Sequence, residues 1–78
     1  MPNLAVERQH LVKANRDIAE GEKRILAQAQ FIERLRRKGL ETDQAERLLF
    51  NLQQTLAIWQ AHREQIRQTI TQLEQVAD

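Results

Sequence analysis

Cysteine and tyrosine are absent, and proline occurs once, at Pro2. Glycine stands at two positions, Gly21 and Gly39, and the aromatic residues number three. Without cysteine the chain forms no disulfide and offers no thiolate to a metal, so no covalent staple supports its fold. With proline confined to the second residue, only the two glycines can interrupt a helix from within. Long apolar stretches are missing too. Runs such as Leu4-Ala5-Val6 and Leu48-Leu49-Phe50 fall far short of the roughly 20 residues that cross a bilayer. No basic segment leads into an apolar one, as a secretory signal requires. These absences set the expectation of a cytoplasmic protein with no membrane partner.

What remains is helix-forming. Leu, Ile, Ala, Arg and Glu are abundant, and Gln occurs eleven times, a usage typical of long amphipathic helices. A chain of 78 residues makes one domain, residues 1–78, near the size where a lone core is only marginally stabilising. Self-association is the route left to it. The net charge of +1 excludes strong overall steering towards polyanions. Its distribution is uneven: residues 1–38 carry nine Lys/Arg against five Asp/Glu, a net of +4, and residues 39–78 carry three against six, a net of −3. Halves of opposite sign attract when folded together, although screening keeps this a guide to pairing rather than a main source of stability.

The first helix is expected over about 4–38. Asn3 suits its N-cap, and Glu7 lies near the positive end of the helix dipole. Leu4, Leu11, Ile18, Ile25 and Ile32 recur every seven residues, one line of a coiled-coil seam. The interleaved line is Glu7, Ala14, Gly21, Gln28 and Leu35, mostly small or polar. A further line, Ala5, Val12, Ala19 and Leu26, widens the apolar face beyond a two-stranded seam. Glu20 to Arg24 and Glu33 to Arg37 are spaced as i,i+4 ion pairs. Gly21 costs about 1 kcal/mol relative to Ala in a helix interior, so its place needs a reason.

Gly39 supplies the stop and Thr42-Asp43 the restart. With Lys38 as C-cap, Gly39 takes the left-handed conformation of a Schellman ending and Leu40 packs back on Leu35. Thr42 then serves as N-cap, with Asp43 and Arg47 spaced as an ion pair. The turn is read as 39–42 and the second helix as about 43–76. A stop and a restart this close imply an antiparallel helical hairpin, an all-α fold. The second helix carries two heptad lines, Ala45, Leu52, Trp59, Ile66, Leu73 and Leu49, Leu56, Arg63, Ile70, Ala77, broken only by Arg63.

Folding back about this turn sets residues whose numbers sum to about 80 or 81 at one height. Leu35 then meets Ala45, Ile32 meets Leu49, Ile25 meets Leu56, and Leu11 meets Ile70. Gly21 falls opposite Trp59, where its missing side chain leaves room for the indole. Arg63 falls near Asp17, its expected charge partner. One seam leaves apolar residues uncovered, including Val12, Ala19, Leu26, Phe31, Leu48, Phe50, Ile58 and Val76, and uncovered apolar area marks interfaces. With Trp59, the residues Val12, Ala19, Leu26, Phe31, Leu48 and Phe50 form the candidate interface. Its expected use is a homodimer of hairpins, a four-helix bundle with twofold symmetry; a partner helix from another protein is the other way to cover it.

Little here suggests catalysis. Glu7-x-x-His10 has the i,i+3 spacing of di-iron bundles, but such sites need a second motif and further carboxylates facing the same interior. His62-Arg63 lacks a pocket, a phosphate cradle and a third group to orient the imidazole. Arg34, Arg36, Arg37 and Lys38 crowd the end of the first helix, where cations complement the dipole. They also define the alternative function, a nucleic-acid-associated regulator, although no aromatics are interleaved with them. The Gln-rich outer face of the second helix carries too few cations for a membrane-surface helix. No catalytic residue, metal site or cofactor is expected.

The run Ile18-Ala19-Glu20-Gly21-Glu22-Lys23-Arg24-Ile25, followed by Gln28, Ile32 and Leu35, resembles a group of short helical-hairpin proteins of alphaproteobacteria. The likeness continues through Gly39, Thr42, Ala45-Glu46-Arg47-Leu48-Leu49, Thr55-Leu56 and His62-Arg63, covering roughly residues 7–67. That group has no established activity, so the resemblance implies the hairpin and supplies no catalytic or binding residues. The function expected from the sequence is a small non-enzymatic adaptor or regulator that binds protein through its hairpin.

Overall fold

The computed structural model describes residues 3–76. Two α-helices, α1 (Leu4–Arg37) and α2 (Asp43–Val76), fold back on each other as an antiparallel hairpin 62 Å long and 15 Å across. There is no strand among the described residues. Each helix has 34 residues, a length of ~50 Å at 1.5 Å per residue, so the helices account for most of the hairpin's length and it is no wider than two of them.

The local signals act where the sequence puts them. The Asn3 side chain accepts a hydrogen bond from the Val6 amide at 2.9 Å, which satisfies one of the free donors at the start of α1. At the other end Lys38 is the C-cap and Gly39 turns to φ +69°. The Gly39 amide donates to the Arg36 carbonyl (3.0 Å) and the Leu40 amide to the Leu35 carbonyl (2.9 Å). Those two bonds are the Schellman pattern. The Leu40 side chain remains 54% exposed, so the ending rests on its backbone bonds more than on the expected apolar contact with Leu35. In α2 the first helical bond runs from the Glu46 amide to the Thr42 carbonyl (2.8 Å), with Asp43 and Glu46 placing acid in the first turn.

The seam between the helices follows the two heptad lines of each chain half. Ile18, Ile32, Ala45 and Ile66 are buried along with Gly21, while Leu11, Ile25, Leu35, Leu49, Leu56 and Ile70 are half-buried. Ala77, at the end of one line, lies outside the described residues. The third line of α1, with Val12 and Leu26 at about 60% exposure, takes no part in the seam. The seam is therefore two lines wide rather than three. A helix pair has only one neighbour per helix and buries only the stripe that faces it.

Polar residues inside the seam find specific answers. Gln28 donates its side-chain amide to the Ala45 carbonyl at 2.9 Å, using that oxygen's second lone pair. Gly21 lies against Trp59 as the register requires: a Cβ built there would stand 3.4 Å from the indole and 3.4 Å from Leu56. A methyl group there would make ordinary van der Waals contact with both. Arg63 departs from expectation. Its guanidinium donates to Asn15 (3.2 Å), and Asp17 is taken by Lys13 one turn back at 2.6 Å. The Nε of Arg63 is buried with no partner. A lysine on the same helix reaches Asp17 at less entropic cost than an arginine spanning the seam.

Two outcomes follow from these positions. Gly39→Ala should destabilise the hairpin by about 1–2 kcal/mol, because a Cβ is strained at positive φ even with open space around it; urea unfolding followed by circular dichroism measures this. Gly21→Ala should be neutral or stabilise by up to ~1 kcal/mol through helix propensity, whereas Gly21→Leu should cost about 1–3 kcal/mol by overpacking against the indole and red-shift Trp59 fluorescence.

Candidate interaction surface

A helix turns about 100° per residue, so the heptad lines beside the seam fall on two opposite broad faces of the hairpin. One face has α1 residues Arg8, Asn15, Glu22, Ala29 and Arg36 along its centre, matched by Glu46, Gln53, Gln60, Arg67 and Glu74 of α2. The interhelical ion pairs lie here, Arg8 to Glu74 at 3.4 Å and Arg36 to Glu46 at 2.6 Å. Both are solvent-exposed and contribute at most about 1 kcal/mol each. Their positions nonetheless confirm the register, since each pair of numbers sums to within two of 80.

The opposite face is built differently. Its centre runs through His10, Asp17, Arg24 and Phe31 on α1, where Lys13 pairs with Asp17, and through Leu48, Thr55, His62, Thr69 and Val76 on α2. Near the turn Phe31 and Leu48 border one shallow depression with Gln28, Leu35, Glu41, Gln44 and Ala45. The two side chains are 41% and 48% exposed. On this side α2 presents no Asp, Glu, Lys or Arg from Gln44 to Val76, along its central line or along the adjoining line of Gln44, Asn51, Ile58, Gln65 and Gln72. In a chain with 29% charged residues, an uncharged stripe along a whole helix has the charge depletion of an interface core.

The candidate interface residues are thus divided by the hairpin. Phe31 and Leu48 come together on the face opposite the interhelical ion pairs. Val12, Ala19, Leu26 and Phe50 lie on the far side, at the edges of the ion-paired face, all of them exposed. Trp59 belongs to the intramolecular seam beside Gly21, with 37% of its surface still open. Val6, at 42% exposure, joins Phe31 and Leu48 on their face; its spacing of 25 residues from Phe31 is the signal that finds it.

The basic cluster is largely engaged. Arg36 binds Glu46 and reaches Glu33 (3.9 Å), Arg37 reaches the same Glu33 (4.0 Å), and the Arg34 guanidinium lies 5.7 Å from the centre of the Phe31 ring. Elsewhere His10 Nδ1 and Glu7 lie 2.9 Å apart, and among the described residues no group of three metal-ligating side chains forms around them. Glu20 is 3.7 Å from Lys23, and the expected Glu20–Arg24 and Asp43–Arg47 pairs are not among the ion pairs of the described residues. No helix of the described residues is long and apolar enough to cross a membrane.

The arrangement defines an antiparallel helical hairpin with one broad face crossed by interhelical ion pairs and an opposite face whose α2 half carries no Asp, Glu, Lys or Arg. No protein-family model, curated protein or solved structure matches the chain.

The carboxylates at the turn set an expectation for polyanions. With Glu33 and Glu46 neutralising Arg36 and Arg37, affinity for duplex DNA at 150 mM salt should be no tighter than the non-specific range of about 10⁻⁴–10⁻⁶ M. Arg36→Ala and Arg37→Ala together should change that affinity by less than about threefold. A gel-shift series over salt concentration measures both.

Proposed function

We propose that the protein is a non-enzymatic interaction module, an adaptor or regulator, that acts as a homodimer of hairpins. The observation that carries this is the excess of surface. The chain exposes 6226 Å², whereas a compact monomer of 9.2 kDa exposes about 4,900 Å². The hairpin thus carries about 1,300 Å² more than its mass requires, against the roughly 800 Å² per partner that a stable interface buries. Ten large hydrophobic residues are among the exposed ones, an apolar load that a marginal 78-residue fold benefits from covering.

Lateral pairing of two hairpins gives each helix a second neighbour and makes a four-helix bundle. The depressions on the surface are shallow, which suits contact with another helix better than enclosure of a small molecule. In this reading the dimer is the working form, and a partner protein is bound by the bundle's outer surface.

Multi-angle light scattering from micromolar to millimolar concentration tests the reading. A mass near 18 kDa, twice the 9.2 kDa chain, is expected over most of that range. A mass of one chain throughout overturns it.

A further inference from the structure

Resting on the dimer just proposed, we infer that the second copy docks on the face of Phe31 and Leu48, with the two hairpin turns at the same end of the bundle. Three observations carry this. The face of Phe31 and Leu48 is the only one of the two whose α2 half lacks charge along its length, and it brings these two side chains together at the surface. The other face is crossed by the two interhelical ion pairs, which a second copy would have to desolvate at a cost that often exceeds their attraction, whereas the ion pair on the docking face, Lys13 to Asp17, stays within α1.

The orientation follows from height and charge. A twofold axis along the hairpin keeps every residue at its own height and lays α1 of one copy over α2 of the other. Phe31 then faces Leu48 of the second copy, and Val6 faces Val76 of the second copy, since both pairs of numbers sum to within two of 80. Exposed apolar side chains meet near both ends of the bundle, twice each by symmetry. A twofold axis across the hairpin instead stacks α1 on α1 and sets Phe31 against His10. Helix-level charge separates the two. The half containing α1 has a net +4 and the half containing α2 a net −3, so the first arrangement sets opposite signs side by side and the second sets like beside like.

The chain has no cysteine, so Leu40→Cys places one nitroxide label per copy at the turn, away from the docking face. Double electron–electron resonance on the labelled dimer should give a distance of about 15–30 Å, one helix spacing plus the label arms. A distance near the 62 Å hairpin length overturns the orientation while leaving the dimer standing. A chain that stays monomeric by light scattering overturns the dimer itself, and the orientation with it. The face is tested separately. Phe31→Glu and Leu48→Glu should each weaken dimerisation by at least about 30-fold, the effect of a hot-spot residue. Leu26→Glu on the other face should leave it within about threefold, as expected of a position outside the contact. Equal effects from all three variants, or a larger one from Leu26→Glu, overturn the choice of face. Where circular dichroism shows that a glutamate variant has lost helix, Phe31→Ala and Leu48→Ala repeat the comparison with Leu26→Ala.

Discussion

The left-handed turn at Gly39 constrains everything else in this molecule. Its φ of +69° and the two backbone bonds that close α1 fix where the second helix begins and the direction it takes. Because the turn is short, it also fixes height. Residues that sum to about 80 meet, and no side chain has freedom to choose another partner level. Gly21 beneath Trp59 and Arg8 beside Glu74 are consequences of that register. A single residue with the wrong backbone preference at position 39 would strain all of these at once.

The same register leaves the hairpin short of burial. Among the described residues the large apolar side chains that are buried are Ile18, Ile32 and Ile66, joined by Ala45, and each buried Ile contributes roughly 2 kcal/mol. The seam also admits Gln28 and Arg63, and the guanidinium brings a buried Nε with no hydrogen-bond partner. Polar layers of this kind oppose slippage, since a shifted register would leave Gln28 and Arg63 without Ala45 and Asn15. They add little net stability. Shortage of burial and excess of surface are thus one property seen from two sides, and both point outward to a second molecule.

Much of the hairpin was legible in the amino-acid order. Heptad lines, an N-cap at Asn3, a glycine at the stop and a threonine at the restart each have a local physical cause, and the structure follows them. The Gly21–Trp59 pairing was legible too, because it depends on the register alone. The partner of Arg63 was not. That choice turned on competition for Asp17, won by Lys13 four residues away on the same helix. Nor did periodicity assign the exposed apolar residues to a side. It showed that Val12, Leu26, Phe31 and Leu48 stand off the seam, but the lines of Leu26 and Phe31 lie about 150° apart around α1 by helix geometry. Only two helices placed together turn that angle into two separate faces.

The central claim is that this hairpin is half of a laterally paired bundle. Small-angle X-ray scattering over a concentration series measures mass and length together. The account predicts that the scattering mass doubles while the maximum dimension stays close to the 62 Å of a single hairpin, because the second copy adds width and no length. A mass that never exceeds one chain, or a dimer whose maximum dimension approaches twice that length, would contradict it.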